Sequence, residues 1–142
     1  MRSMSAASGS RGSRNRPTVL LDRCVPEGIG RALNHFDIDY VTLADAYGAD
    51  CAQNIDDVDW IKDSAGHGWI ALTQNFKIPR VAHEADAIRD SGARVLCYHR
   101  ANLTKEAKAL ILGRHMLAVR RVIDHPGAAF WRISTRNILR DI

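Results

Sequence analysis

The chain has 142 residues, 46% of them hydrophobic, and a formal net charge of +4. That length fits a single domain with its own core, and no apolar run approaches the roughly 20 residues that a membrane-spanning helix needs. Cys24, Cys51 and Cys97 are odd in number and widely spaced, which excludes a disulfide framework and a cysteine-based zinc site.

The charge is unevenly placed. Residues 1–16 hold four arginines and no acid, residues 17–100 hold eight basic and thirteen acidic residues, and residues 101–142 hold eight basic and three acidic ones. An acidic middle suits a cation and basic ends suit a polyanion. A solvated tail and a charged terminal helix would give the same imbalance. Residues 1–16 are rich in Ser, Gly and Arg, too poor in apolar surface to offset ordering entropy, and are expected to be a disordered basic tail. No apolar segment accompanies them, so no secretory signal is expected and the expected compartment is the cytoplasm. Residues 17–142 are expected to form the domain.

Thr18-Val19-Leu20-Leu21 reads as a short buried strand ending abruptly in Asp22. Pro26 then suits the first turn of a helix, with Ile29, Ala32, Leu33 and Phe36 on one apolar face. Tyr40 to Leu43 reads as a second strand and residues 44–56 as a loop. A helix is expected from Asp57 to about Ala65, a third strand over Trp69 to Leu72, and a polar turn at Thr73-Gln74-Asn75. Residues 81–90 read as a helix closed by Gly92, and Arg94 to Tyr98 as a fourth strand. Residues 103–124 read as the longest helix, with Leu103, Ala107, Leu110, Ile111, Leu117 and Ala118 as its buried stripe and Pro126-Gly127 as its stop. Ala128 to Ile133 suits a last strand, and residues 135–142 a short basic end. Alternating strands and helices argue for an α/β fold with a parallel sheet.

Several familiar motifs fail. Gly28-Ile29-Gly30 lacks the third glycine of a dinucleotide loop, because Leu33 stands there. His83-Glu84 lacks the second histidine of a zinc-protease helix, because Ala87 stands there. A phospho-acceptor receiver fold needs an aspartate at the end of its third strand, where this chain has Thr73-Gln74-Asn75.

What remains is a set of acids placed by topology. In parallel sheets the carboxyl ends of the strands form the binding crevice. Asp22, the Asp56-Asp57-Asp59 group at a helix start, and Thr73 with Asn75 can converge there. Carboxylates brought together repel unless a cation neutralises them, and Mg²⁺ or Mn²⁺ favours such oxygen ligands. Each acid also has an ordinary structural use: Asp22 as a helix cap, the three helix-start aspartates as partners of the helix dipole, and Asn75 as a turn residue. The six histidines show no ligand spacing.

Val19-Leu20-Leu21-Asp22, Asp57-Val58-Asp59-Trp60-Ile61 and the segment from Gly68-Trp69-Ile70 through Thr73-Gln74-Asn75-Phe76-Lys77 together resemble the PIN-like ribonuclease toxins of bacterial toxin–antitoxin pairs, the VapC-type branch in particular. The resemblance covers about Val19 to Tyr98. It implies a three-layer PIN-like fold with a central parallel sheet flanked by helices, and a metal-dependent endoribonuclease that uses Mg²⁺ (or Mn²⁺). Asp22 and Asp57 would hold the metal, with Asp56 and Asp59 as fallbacks for the second acid, and Thr73 would help position the site. Asn75 stands where the family usually has Asp, so it would be a neutral ligand, with Asp86 a distant substitute acid. Lys77 and Arg80 could contact RNA phosphates. The partners implied are an RNA substrate and a cognate antitoxin protein, with a homodimer left open and no membrane. A non-catalytic RNA- or protein-binding module with a degenerate metal site is the alternative.

Overall fold

The computed structural model describes residues 16–142. Of the expected basic tail, residues 1–15 lie outside the described residues. Arg16 is described, and its guanidinium pairs with Asp39 at 3.1 Å.

Six strands form one sheet in the order β2-β1-β3-β4-β5-β6. They are β1 (Thr18–Leu21), β2 (Asp39–Thr42), β3 (Ile70–Thr73), β4 (Arg94–Tyr98), β5 (Ala129–Ile133) and β6 (Ile138–Arg140). The first five run parallel. β6 pairs antiparallel with β5, where a basic end was expected. The turn between them is closed by Ser134, whose backbone N–H donates to the Asn137 carbonyl at 3.0 Å. Three arginines in residues 132–140 mask the apolar pattern of so short a strand, so its alternation is not readable.

Helices cover both faces of the sheet. On one face lie α1 (Glu27–Leu33), α6 (Lys105–Arg114) and α7 (Met116–Ile123); on the other lie α2 (Leu43–Tyr47), α3 (Ala49–Ala52), α4 (Asp57–Gly66) and α5 (Ala82–Ser91). Alternate strand residues serve the two cores. Val19, Leu21, Ile70, Leu72, Leu96 and Tyr98 enter the first, while Leu20, Ala71, Val95 and Cys97 enter the second. This is the expected three-layer α/β arrangement.

Two expected features need correction. Residues 44–56 contain α2 and α3 rather than a loop. The signal was a Thr-x-x-Asp capping pair: the Asp45 N–H donates to the Thr42 hydroxyl and the Thr42 N–H to the Asp45 carboxylate, each at 3.0 Å. The single helix over 103–124 is two helices, α6 and α7, broken at His115. Gly113 weakens the last turn of α6, and the His115 ring is tied to the Ser134 carbonyl at 2.6 Å. The break changes the phase of the buried stripe. Of the expected stripe Ile111 is buried, whereas Leu110, on α6 before the break, and Leu117, on α7 after it, are 73% and 80% exposed; Lys108, Leu112, Met116, Val119 and Val122 are buried instead. Among the described residues no helix is long and apolar enough to cross a membrane.

Gly30 shows how tightly α1 is seated on the sheet. A Cβ added there would stand 2.5 Å from Cγ of Tyr40. The ring has little room to withdraw, because its hydroxyl donates to Glu27 at 2.7 Å. Replacing a helical glycine with alanine gains about 1 kcal/mol in propensity, while overpacking a core costs about 1–3 kcal/mol. The clash should therefore win. Gly30→Ala is expected to lower the thermal midpoint, and an unchanged or raised midpoint would show that this contact is slack.

Candidate functional site

Register brings the first two site residues together. Leu21 pairs with Leu72 across β1 and β3, so Asp22 and Thr73 sit one step further along at the carboxyl edge. Both turn towards the α4 face by strand alternation. The Thr73 hydroxyl donates to Oδ2 of Asp22 at 2.7 Å, and the Arg23 N–H donates to Oδ1 at 2.7 Å. Asp22 is only 6% exposed. It is not a helix cap: Pro26 occupies the N-cap of α1, which has no side-chain cap.

The second acid arrives on the first turn of α4. Asp57 is half-buried, while Asp56 and Asp59 are exposed. Its Oδ1 accepts from the indole N–H of Trp60 at 2.8 Å and its Oδ2 from the side-chain amide of Asn75 at 2.7 Å. Trp60 is buried to 1% exposure, so the Asp-x-x-Trp spacing is a one-turn clamp that anchors a carboxylate to the core. Asn75 is placed in turn by Thr73, whose hydroxyl accepts from the Asn75 N–H at 3.1 Å. The Asn75 side-chain oxygen accepts from the Lys77 N–H at 3.2 Å. Asp22, Thr73, Asn75 and Asp57 thus form one hydrogen-bonded chain from β1 to α4.

Arg23 walls the cleft. One terminal nitrogen of its guanidinium donates to the carbonyls of Ala52 at 3.1 Å and Ile55 at 2.7 Å, tying α3 and the start of α4 to the end of β1. Hollows open on both sides of it. One, of about 440 Å³, includes Asp22, Thr42 and Gln53; the other, of about 560 Å³, includes Asp56, Asp57, Asp59, His83 and Glu84.

Glu84 was not among the residues singled out from the sequence. Its Oε1 is buried without a hydrogen-bond partner. Burial, then the nearby Asp57 and Asp56 charges, push its carboxyl above the ordinary range, with His83 opposing them. In the sequence, His83-Glu84 shows only an incomplete zinc-protease spacing, which carries no signal that the acid lies near Asp57. Asp86 is exposed and bonds Arg89 at 3.4 Å. Lys77 and Arg80 are both exposed, and Arg80 lines a separate hollow with Phe76, Pro79, Arg132 and Asp141.

Burial holds the Asp22 carboxyl above its usual range. The bonds from Thr73 and Arg23 oppose that rise, and the Asp57 charge adds to it. A group whose pKa is raised by folding binds its proton more tightly in the folded state, so its ionisation at neutral pH costs stability. Asp22→Asn is therefore expected to raise the thermal midpoint at pH 7 in a metal-free buffer. The advantage should shrink as the pH falls towards about 3.9, the ordinary aspartate value. A lower midpoint at pH 7, with no pH dependence of the difference, would contradict this account.

A family model described as "PIN like domain" matches residues 17–100. The chain is also 31% identical, over 99 residues, to a protein of Mycobacterium tuberculosis named "Putative ribonuclease VapC45", covering 70% of this chain and 72% of that protein. No solved structure matches the chain. The matched region contains the strand-end aspartate, the helix-start aspartate and the Thr-x-Asn turn that the sheet brings together, and on these findings the chain belongs to the PIN-like domain family.

Proposed function

We propose that the protein is a divalent-metal-dependent endoribonuclease and the toxin of a toxin–antitoxin pair. The observation that carries this reading is the hydrogen-bonded chain through Thr73 and Asn75 that gathers two carboxylates, Asp22 and Asp57, at the carboxyl edge of a parallel sheet. The relative named as a ribonuclease supports it.

The residues fit a hard cation, with one weakness. Asp22 and Asp57 supply anionic oxygens, and each oxygen keeps a lone pair beyond the hydrogen bond it accepts. Glu84 lies near Asp57 with an unpartnered oxygen but does not complete a three-acid group with Asp22 and Asp57. The weakness is that no three His, Cys, Asp or Glu side chains form a metal-holding group among the described residues; Asn75 stands where the resemblance leads one to expect a third carboxylate. Mg²⁺ or Mn²⁺ suits such oxygen ligands. Bound there, the ion would supply Lewis-acid polarisation of a phosphodiester and offset the charge that develops on it. Thr73 holds Asp22 in position, and Trp60 and Asn75 hold Asp57. Exposed Lys77 follows the turn and can meet a flanking phosphate. The antitoxin is proposed to approach the same edge with a cationic side chain directed at the acids.

One observation favours a second reading, a non-catalytic binding module on the same fold. The Asn75 amide nitrogen already bonds Asp57, so a neutral donor partly satisfies the carboxylate that a metal would otherwise neutralise.

Cleavage of a mixed structured RNA pool separates the two readings. The enzyme reading predicts cleavage with Mg²⁺ or Mn²⁺, and loss of cleavage with EDTA and in a folded Asp22→Asn variant. It also predicts that Asn75→Asp lowers the half-saturating metal concentration by on the order of tenfold, since ligand charge governs affinity for hard cations. Retained RNA or partner binding without cleavage under any of these conditions, in wild type and Asn75→Asp alike, would favour the binding module.

A further inference from the structure

The metal-site reading leaves one charged hollow unused. It lies on the same carboxyl edge, is lined by Phe76, Pro79, Arg80, Arg132 and Asp141, and encloses about 190 Å³. Register fixes its relation to the acids. Thr73 pairs with Cys97, and Cys97 with Arg132. Asp22, Thr73, Cys97 and Arg132 therefore stand in a row across β1, β3, β4 and β5. Three strand spacings of about 4.8 Å put the Arg132 backbone about 14 Å from that of Asp22. The row begins with an acid, passes through two neutral residues, and ends in a guanidinium.

Three features of the hollow point to a nucleotide. Arg80 is exposed and its guanidinium has no hydrogen-bond or ion-pair partner among the described residues. Arg132 is held in a fork by Asp141, with Nε at 2.6 Å and a terminal nitrogen at 3.3 Å from the two carboxylate oxygens. A two-oxygen anion bound this way occupies the position a phosphate would take on the same guanidinium. Phe76, half-buried against the α4 and α5 core, supplies an aromatic wall next to both arginines. Cationic groups beside an aromatic face are the elements of single-strand binding: the charges follow the backbone and the ring stacks a base.

We propose that this hollow is a subsite for a nucleotide of single-stranded RNA a short distance along the strand from the scissile phosphate, and that Asp141 is an internal competitor for its phosphate. The proposal rests on the ribonuclease reading for the identity of its ligand. In it, Arg80 contacts the incoming phosphate, Arg132 exchanges Asp141 for that phosphate, and Phe76 stacks the base. The subsite lets the edge that carries the acids bind RNA even though the acids themselves repel it.

The test is binding rather than cleavage. Fluorescence anisotropy of a labelled single-stranded oligoribonucleotide, in EDTA, measures affinity across a salt series for the wild type and three variants. Arg80→Gln is expected to weaken binding by about tenfold and to reduce the log–log salt slope by about 0.7, the loss of one phosphate contact on a single strand. Asp141→Asn is expected to tighten binding severalfold, by releasing Arg132. Phe76→Leu is expected to weaken binding with the salt slope unchanged, because stacking carries no charge. RNA that binds with the same affinity and slope in Arg80→Gln and Asp141→Asn would overturn the subsite while leaving the ribonuclease reading in place. RNA that fails to bind the wild type at any salt concentration would overturn both. Arg80 carries no contact needed for the fold, so its arm does not depend on the stability of the other variants.

Discussion

The Thr73 hydroxyl donates to the Asp22 carboxylate across the β1–β3 pairing, at 2.7 Å. The rest of the site is built outward from this contact. A carboxylate that is 6% exposed is expensive to keep charged unless hydrogen bonds replace its water. Thr73 supplies one of these bonds and the Arg23 backbone the other. The contact exists because β1 and β3 are neighbours in register; a slip of one residue would turn Asp22 into the opposite core. The same hydroxyl receives the Asn75 N–H, so it also sets the turn that reaches Asp57. One threonine thereby couples two acids from segments 35 residues apart in sequence.

Electrostatics explains why Asn75 matters more than its size suggests. Aspartate at that turn would add a third charge beside Asp57 and would require a cation to offset the repulsion. The amide donates to Asp57 instead, at 2.7 Å. In the metal-free protein this stabilises the arrangement. It also lowers the charge available to an incoming ion. Glu84, with an unpartnered oxygen, is a further acid that the fold places near Asp57, beside Asp56 and Asp59. In the proposed metal site, Asn75 would set the balance between a site that closes readily on an ion and one that is stable without it.

Much of this arrangement was legible in the sequence because it depends on short-range rules. An apolar run ending in Asp22 identified the edge of the sheet, and the resemblance to the family's Asp-x-x-Trp motif pointed to Asp57, whose one-turn bond to Trp60 the structure shows. The sequence was less informative where tertiary contacts overrode local pattern. Leu110 and Leu117 fit an apolar stripe on an unbroken helix, but α6 buries Lys108, Ile111 and Leu112 and leaves Leu110 exposed, and past the break at His115 α7 buries Met116, Val119 and Val122 and leaves Leu117 exposed. The Thr42–Asp45 cap was readable and was hidden by the polar residues that follow it. Glu84 had no local signal, since only the packing of α5 beside α4 brings it near Asp57. The pairing of Arg132 with Asp141 likewise requires the β5–β6 hairpin to form.

Asp22 and Asp57 are proposed to form a cation site that Asn75 weakens. Calorimetric titration of Mn²⁺ into the metal-free protein tests it most directly, with Asn75→Asp and Asp22→Asn titrated alongside. One binding event is expected in the wild type, a tighter one in Asn75→Asp, and none in Asp22→Asn. Equal Mn²⁺ binding by all three proteins, or none by both the wild type and Asn75→Asp, would contradict it.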